Sequence, residues 1–429
     1  MRLRFCNAIW SLALGVVLLP GGCQKKKAGG VVDVTFWHVM GGPIEKTLNA
    51  LIEEFNRTHP GISVKPLGLG SYDALSQKLL AAVAAGKPPV ASQAYESWTS
   101  KLIESRAIVP IQNYLSGADG LSPTEWRDIY PVLLRSCTIQ DTLWAWPFNK
   151  SVAALYYNRD LFRKAGLDPD NPPATWDEFR VDAKKLTKGG TYGTAFKVDI
   201  WNFGSLLYQN AGTFLTSNRM RSAFQGKEGV EALEYLRGLI ALDSVAYLTS
   251  GFEHQNDFLQ GKVGMIQSSC ASLSYMDTLI KFDLGLAPLP VGKRKSVILA
   301  GTNAVIFAKA RPEEQRAAWL FLKWMSEPEQ TARWSYASSY LPIRYSALNK
   351  EVMQAKVKHY RGLEGVIFQL EYAELEPQTS GWVTGRKILE SEALEKVLRG
   401  EAEPGVALEE AARKVDAELD KSKRRQETF

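Results

Sequence analysis

Apolar and polar residues follow two different periods along the first hundred residues of the chain. Residues 32–36 alternate as a half-buried strand does, and residues 62–66 do so again. Between them, apolar residues recur every three or four positions, which is the period of a helix with one buried face. They are Ile44, Leu48, Leu51, Ile52 and Phe55. The proline at position 43 indicates the start of this helix, and His59-Pro60-Gly61 indicates its end.

A second helix and a third strand follow in the same order. Ser71 is a suitable N-cap for a helix whose inward residues are predicted to be Leu75, Leu79, Leu80 and Val83. Residues 90–95 are predicted to form a strand, with a further helix after it. Strands and helices that alternate in this way predict a parallel sheet covered by helices. Ligands bind at the carboxyl ends of such strands, which here fall at residues 38–42, 68–72 and 95–97.

The same alternation resumes in the second part of the chain. A strand over residues 152–157 is followed by helices predicted over 176–186, 204–211 and 230–242. Strands at 282–286 and 297–300, a helix over 313–327 and a charged helical segment over 389–421, broken around 400–405, complete the pattern. A chain of 429 residues exceeds one comfortable core, so two domains are expected.

The first 22 residues have the pattern of a secretory signal peptide. Arg2 and Arg4 precede an apolar run over residues 9–19, which is too short to be a stable membrane anchor. Small residues lie just before Cys23, which predicts cleavage there and lipid attachment to the Cys23 thiol, as in bacterial lipoproteins. Pro20 stands where leucine is usual, so ordinary cleavage nearby is the alternative. Residues 23–31 would form a solvated tether, and in both cases the mature protein works outside the cytoplasm.

Composition excludes several classes of protein. Removing residues 1–22 takes Arg2 and Arg4 from the 52 basic residues, which leaves 50 against 46 acidic ones and a net charge of +4. This excess is spread along the chain, without the clustered basic stripe that a nucleic-acid interface requires. Once Cys6 is cleaved away and Cys23 carries lipid, Cys137 and Cys270 remain, and we expect both to be buried free thiols.

No catalytic motif is present in the sequence. The histidines, at positions 38, 59, 254 and 359, lack metal-ligand spacing, and there is neither a Gly-x-Ser-x-Gly elbow nor a phosphate loop. A secreted glycosidase is the enzymatic alternative, and it would need two carboxylates that flank one bond. The acidic runs at residues 53–54, 168–170 and 371–376 are interpreted instead as helix faces and turns. We therefore expect a binding protein without cofactor or metal.

A series of short motifs runs in order from about residue 32 to residue 420. It includes Phe-Trp-His-Val-Met-Gly-Gly at 36–42, Phe-Asn-Arg-Thr-His-Pro-Gly at 55–61, Pro-Phe-Asn-Lys-Ser at 147–151, Leu-Tyr-Tyr-Asn at 155–158, Phe-Leu-Gln-Gly-Lys-Val-Gly-Met at 258–265 and Tyr-Leu-Pro-Ile at 340–343. Together these motifs resemble the extracellular solute-binding proteins of bacterial ABC importers. The resemblance implies an α/β fold of two lobes, each discontinuous in sequence, which close about a hinge over a small molecule.

The resemblance also implies how the chain is divided. Lobe 1 would comprise residues 32–152 and 285–325, and lobe 2 residues 153–284 and 326–429. Hinge crossings are expected near residues 151–154, 282–286 and 325–327. The protein would act as a monomer that delivers its ligand to an ABC permease in the membrane.

Within this family the chain looks most like the subgroup that binds glycerol-3-phosphate and its diesters. That subgroup's ligand-binding residues correspond here to Tyr72, Glu96, Ser151, Ser269, Gly301, Tyr340 and Arg386. Their chemistry is consistent with such a ligand. A glutamate can accept hydrogen bonds from two neighbouring hydroxyls, and the planar fork of an arginine matches a phosphate. Trp37, Trp98 and Trp201 are candidates for stacking on a sugar ring.

Simpler interpretations of these residues remain open. Glu96 could be a solvated residue at a helix start, Arg386 a solvated residue on a polar helix, and Trp37 part of a core. Residues 196–202 hold one tryptophan, Trp201, where the glycerol-phosphate binders have a pair, and residues 206–212 look more like the sugar binders. A neutral sugar or oligosaccharide is therefore the alternative ligand.

Overall fold

Two β-sheets, each covered by helices, form the body of the protein in a computed structural model that describes residues 30–427. The predicted signal peptide and Cys23 lie outside these residues. The strands are β1 (Val32–His38), β2 (Ile62–Gly68), β3 (Ala91–Ala94), β4 (Ile108–Val109), β5 (Thr138–Ile139), β6 (Thr142–Leu143), β7 (Trp146–Ser151), β8 (Ala153–Asn158), β9 (Tyr192–Lys197), β10 (Ala246–Thr249), β11 (Val263–Ser269), β12 (Leu284–Ala287), β13 (Val297–Ile298), β14 (Ala300–Phe307) and β15 (Ala373–Glu374).

The helices are distributed along the whole described chain. They are α1 (Gly42–Thr58), α2 (Tyr72–Ala84), α3 (Glu96–Glu104), α4 (Pro123–Arg127), α5 (Pro131–Cys137), α6 (Arg159–Lys164), α7 (Trp176–Leu186), α8 (Ile200–Gln209), α9 (Lys227–Ala241), α10 (Glu253–Leu259), α11 (Leu273–Met276), α12 (Pro312–Met325), α13 (Pro328–Ser338), α14 (Glu351–His359), α15 (Leu363–Phe368), α16 (Trp382–Leu389), α17 (Glu395–Leu398) and α18 (Pro404–Glu427). A short π-helical segment, Glu390–Leu394, joins α16 to α17.

The first sheet has the strand order β2-β1-β3-β14-β4, and β7 also pairs with β14. Strand β1 is parallel to β2 and β3, which confirms the parallel sheet predicted from the N-terminal alternation. Strand β14 comes from much later in the chain and runs antiparallel to β3, β4 and β7. The sheet is therefore mixed, because a distant strand is inserted beside the local parallel ones.

Helices α1 and α2 show how far the apolar period determines packing. The buried residues of α1 are the five predicted ones, and the Ser71 hydroxyl accepts from Ala74 N at the start of α2 as predicted. Leu80 was predicted to point inward, and this is wrong, because its side chain is 48% exposed. The buried stripe of α2 is one residue wide, since it consists of Leu75 and Leu79 at a spacing of four.

The second sheet has the strand order β10-β9-β11-β8-β12, with β8 antiparallel to both of its neighbours. Its core joins Leu155 and Tyr157 of β8 to buried residues of α7, α8 and α9. The C-terminal helices α16 and α18 add Trp382 and Val415 to the same core. The end of the chain therefore returns to the second lobe.

The chain crosses between the sheets at Val152, the one residue that separates β7 from β8. This lies within the predicted crossing at residues 151–154. The return crossing was predicted near residues 282–286. It follows β12, so it comes just after the predicted position. Helix α13 packs on the first lobe, where Trp334 stacks on Phe148 of β7 with ring centroids 5.7 Å apart. The predicted division gives this helix to lobe 2, and the lobe boundaries as a whole stay a prediction.

Cys137 and Cys270 are buried and free, as predicted. Among residues 30–427, no helix combines the length and the apolar character needed to cross a membrane.

Candidate functional site

A cavity of about 540 Å³ lies between the two lobes. Residues that follow β1, β2 and β3 form part of its first-lobe wall, which confirms that the predicted strand ends border a cavity. They are Val39, Met40, Gly70, Ser71, Tyr72 and Tyr95. The opposite wall comes from the second lobe and includes Trp201, Phe252, Gln255, Ser269, Ser272 and Tyr275. Across the mouth of this cleft, the Tyr275 hydroxyl lies 3.4 Å from the Gly41 carbonyl oxygen.

Most of the predicted ligand-binding residues meet around this cleft. Tyr72, Ser151, Trp201, Ser269, Gly301 and Tyr340 line the 540 Å³ cavity. Glu96, Trp98 and Arg386 line a neighbouring cavity of about 340 Å³, which shares Tyr72 and Tyr95 with the first. Trp37 is not in the walls of either cavity, and the Lys78 ammonium lies 5.0 Å from the centroid of its ring. Ligand contact by each of these residues stays a prediction.

Two tyrosines are held in the cleft by neighbouring side chains. Asn149 Nδ2 donates to the Tyr72 hydroxyl at 3.1 Å, and Asn149 Oδ1 accepts from Gln93 Nε2 at 2.7 Å. Tyr340 stacks on Trp334 with centroids 6.1 Å apart. Burial raises the pKa of both phenols above the usual value, so both hydroxyls stay protonated and can donate to a ligand.

Gly301 has a structural role in the backbone. Its φ of +88° lies in the left-handed region, which favours glycine. A Cβ at this position would lie 1.9 Å from the Asn149 carbonyl oxygen on the paired strand β7. The glycine is therefore required for the close passage of β14 along β7 at the lobe crossing.

Glu96 is part of a buried ion pair. Lys150 Nζ lies 2.6 Å from Glu96 Oε1, and the two side chains are 0% and 12% exposed. Asn303 Nδ2 lies 3.3 Å from the same carboxylate oxygen, and Lys150 Nζ is also 3.4 Å from the Gly301 carbonyl oxygen. Sequence reasoning missed Lys150, although a lysine inside the otherwise uncharged segment 142–158 was a usable signal. Lysine is almost never fully buried unless it is paired.

Arg386 lies in a more open group of charges. Its guanidinium carbon is 5.1 Å from the centroid of the Trp201 ring, and its side chain is 28% exposed. Nε lies 3.3 Å from Glu376 Oε2 and Nη2 lies 3.9 Å from Glu390 Oε1. Nε is buried, yet it makes no hydrogen bond within the described part of the chain. Burial lowers the pKa of Arg386, but Glu376, Glu390 and Asp199 together raise it above its usual value.

Glu376 connects this group to two tryptophans. Its carboxylate accepts from Trp201 Nε1 at 2.5 Å and from Trp382 Nε1 at 2.9 Å. The interpretation of residues 371–376 as helix faces and turns is therefore wrong for Glu376. Trp201 is 175 residues away in sequence, so no local pattern could have revealed this partnership.

The cleft thus offers hydroxyl groups, aromatic ring faces, a carboxylate paired with a lysine ammonium, and a guanidinium. These groups suit a small polar molecule that carries hydroxyls. Nowhere in residues 30–427 do three or more His, Cys, Asp or Glu side chains gather as the ligands of a metal ion would.

Comparison with known proteins places these features in context. Residues 41–332 match the family model described as bacterial extracellular solute-binding protein. The sn-glycerol-3-phosphate-binding periplasmic protein UgpB of Pectobacterium atrosepticum is 27% identical over 440 residues, which cover 97% of each chain. UgpB of Escherichia coli K12 is 27% identical over 419 residues, which cover 94% of each chain.

Solved structures agree with the fold. UgpB of Mycobacterium tuberculosis, in complex with glycerophosphocholine, superimposes with a TM-score of 0.81 at 23% identity, over 91% of this chain and 99% of that one. The cyclic alpha-maltosyl-1,6-maltose binding protein of Arthrobacter globiformis gives a TM-score of 0.79 at 26% identity, over 91% and 100%. These similarities confirm the predicted two-lobed α/β fold.

Proposed function

Since the chain belongs to the bacterial extracellular solute-binding protein family, we propose that it captures glycerol-3-phosphate or a related glycerophosphodiester for an ABC importer. The family membership confirms the resemblance seen in the motifs. Members of this family are the solute-binding components of such importers and work outside the cytoplasm. The protein is accordingly a binding protein and not an enzyme.

The position of Arg386 carries the proposal for a phosphate. Its guanidinium borders the interlobe cleft, stacks near Trp201 and keeps a buried Nε without a hydrogen bond among residues 30–427. A phosphate oxygen is an acceptor that fits a guanidinium fork, and such charge-assisted bonds are roughly twice as strong as neutral ones. The names of the relatives at 27% identity support the same ligand.

The remaining groups suit the glycerol part of such a ligand. Ser151, Ser269 and the protonated Tyr72 line the same cavity and supply hydroxyl groups. Glu96 can accept from a ligand hydroxyl through its second oxygen, because Lys150 and Asn303 both contact Oε1.

A neutral sugar or oligosaccharide is the second candidate, and one observation favours it. Glu376 and Glu390 flank Arg386, so two carboxylates face one guanidinium and offset its charge. The rings of Tyr72, Trp201 and Tyr340 in the cavity wall offer faces for a sugar ring. The structurally similar cyclic maltosyl-maltose binder supports this alternative as well.

A thermal-shift and calorimetric panel separates the two candidates. The panel contains glycerol-3-phosphate, glycerophosphocholine, maltose and common monosaccharides, each tested on wild type and Arg386→Ala. We expect a glycerol phosphate to raise the melting temperature of wild type, because a ligand of the native state stabilises it by mass action. Arg386→Ala should weaken that binding by about tenfold or more.

Arg399→Ala is the matched control for this panel. Arg399 also lies beside a glutamate, Glu395, at the end of α17, but its side chain is 52% exposed and does not line the cleft. The Arg399→Ala variant should bind every compound with the same affinity as wild type. If maltose stabilises wild type and Arg386→Ala equally, and glycerol phosphates stabilise neither, the ligand is a neutral sugar.

We further propose that the protein is a monomer and that its two lobes close over the ligand. Ligand contacts from both lobes would bridge the cleft, and the closed form would dock on the permease. Small-angle scattering should show a smaller radius of gyration on saturation with the stabilising compound. An unchanged radius contradicts closure.

Anchoring by lipid at Cys23 completes the proposal. Cys23→Ser should release the protein from membranes into the soluble fraction after cell disruption. An unchanged membrane partition would show that the cysteine carries no anchor.

A further inference from the structure

A small chamber of about 90 Å³ adjoins the second-lobe side of the cleft. It shares Ser151, Trp201, Phe252 and Ser269 with the 540 Å³ cavity, so the two spaces are neighbours. Its other polar walls include Lys197, Asp199, Asn202, Ser205, His254 and Gln267, and we call this chamber the annex. The family resemblance assigns a ligand role to none of these six residues.

His254 is the unusual group in the annex wall. The residue is 3% exposed, and its Nδ1 is buried with no hydrogen-bond partner in the described range 30–427. A buried polar atom without a partner costs folding free energy, and such atoms in native proteins require an explanation. His254 lines a chamber beside the ligand cleft, so a ligand group in that chamber lies next to the imidazole and can form a hydrogen bond with it.

The imidazole of His254 is neutral at physiological pH. Burial and the nearby Lys197 lower its pKa to about 4, although Asp199 acts in the opposite direction. A neutral imidazole has one nitrogen that accepts and one that donates a hydrogen bond. A hydroxyl group can use either nitrogen, whereas a phosphate oxygen can use only the donor.

The charges in the annex are compensated within the protein. Lys197 Nζ lies 3.2 Å from Asp199 Oδ2, and Asp199 Oδ1 accepts from Trp201 N at 2.6 Å at the start of α8. Gln255 Nε2 donates to Ser268 Oγ at 2.8 Å and to Ser272 Oγ at 3.1 Å. The annex is therefore polar without a cation free to hold an anion, in contrast to the region around Arg386.

We propose that the annex is a subsite for an uncharged, hydroxyl-bearing end of the captured solute, and that His254 bonds one of its hydroxyls. The inference rests on the proposed function only in that the cleft binds a hydroxyl-bearing solute. A glycerol end and a sugar ring both meet this condition.

The first experiment uses free glycerol as the probe, because it contains hydroxyls and no phosphate. The chain has four histidines, so untagged protein labelled with nitrogen-15 at histidine gives a small set of imidazole signals. The His254 signal is identified by its loss in His254→Leu. Glycerol should shift that signal saturably and leave the signal of the exposed His359 in place. A His254 signal that does not respond saturably to glycerol overturns the proposal.

The second experiment separates a ligand role from a structural one. In His254→Leu the unpaired nitrogen is gone, so the melting temperature of the ligand-free protein should stay the same or rise. Affinity for glycerol-3-phosphate, or for maltose if maltose is the compound that stabilises wild type, should fall about tenfold. A histidine with a purely structural role gives the reverse, a lower melting temperature with unchanged affinity, and that result overturns the proposal.

His359→Leu is the matched control, because it removes an exposed histidine of α14 and should change neither quantity. If the proposed glycerol-phosphate function is wrong, the wild-type protein will bind neither glycerol-3-phosphate nor glycerophosphocholine. The glycerol titration at His254 still decides the annex in that case, so the two failures are distinguishable.

Discussion

Two groups of charges border the cleft, and they hold their cations in opposite ways. Lys150 faces a single carboxylate, that of Glu96, and both side chains are almost fully buried. Arg386 faces two carboxylates, is 28% exposed, and has a buried Nε that forms no hydrogen bond within the described residues. The first group fixes a carboxylate in place, whereas the second leaves a cation that can turn to a ligand.

The partners of each cation explain this difference. Glu96 would lose its ammonium partner if Lys150 moved, and an uncompensated buried charge is strongly unfavourable. Glu376 keeps two indole donors without Arg386, and Glu390 keeps the backbone N–H of Ile200, which lies 3.1 Å from its Oε1. Arg386 can therefore shift toward a phosphate while both carboxylates remain hydrogen-bonded.

The largest expected effect comes from removing the buried cation. Lys150→Met should lower the free energy of unfolding by about 3–5 kcal/mol, because it leaves the Glu96 carboxylate without its buried partner. Urea unfolding followed by circular dichroism measures this change. Lys65→Met is the control, since the pair of Lys65 with Asp33 is 57% and 54% exposed and should contribute less than about 1 kcal/mol. Equal losses in the two variants would contradict the comparison.

Removing both members of the buried pair should restore part of the lost stability. In Lys150→Met combined with Glu96→Gln no unpaired charge remains, so the double variant should be at least about 1 kcal/mol more stable than the sum of the single changes predicts. The same urea unfolding measures the coupling. Additive losses would mean that the two side chains contribute separately.

Arg386→Lys tests the open group through its geometry. The substitution keeps the positive charge but removes the planar fork. Affinity for glycerol-3-phosphate should fall about tenfold, or about 1.4 kcal/mol, while the unfolding free energy changes far less than in Lys150→Met. Isothermal titration calorimetry gives the affinity. Wild-type affinity in the variant would show that charge alone is recognised.

The smallest expected effect comes from removing one of the two carboxylates beside Arg386. Glu390→Gln keeps an acceptor for Ile200 N but removes a negative charge, so glycerophosphocholine should bind about threefold more tightly and maltose equally well. Burial raises the pKa of Glu390, although Arg386 opposes this. As pH falls through that raised pKa, Glu390 becomes protonated and wild-type affinity for glycerophosphocholine should rise.

The Glu390→Gln variant is also the control for the predicted pH dependence of binding. Glycerophosphocholine contains a phosphodiester, whose charge stays constant over this range, so the protein's own titration is observed. The Glu390→Gln variant should lack the rise. A rise of the same size in both proteins would assign it to another group.

Local sequence patterns predicted those parts of the fold that local contacts determine. The buried face of α1 and the Ser71 cap follow from residues a few positions apart, and so do the strand ends that surround the cleft. The position of Leu80 was wrong because the width of a buried stripe depends on what covers it. Local sequence also did not reveal that helix α13 packs on Phe148 of the first lobe, because this contact comes from a strand far away in sequence.

The same limit applies to the candidate site. Family resemblance supplied Tyr72, Glu96 and Arg386, which do border the cleft. Lys150 and Glu376 were missed because each acquires its meaning from a partner 54 or 175 residues away. His254 was likewise indistinguishable from a core histidine until the chamber beside it was visible.

Val152 gives the two lobes very little chain to share. It is the single residue between β7 and β8, and it is fully buried. A change of a few degrees in its backbone torsions would displace the far end of a lobe by a distance that grows with the length of that lobe. A larger or smaller side chain at this position would therefore change the resting angle between the two lobes, from a residue that itself lines the annex beside Ser151.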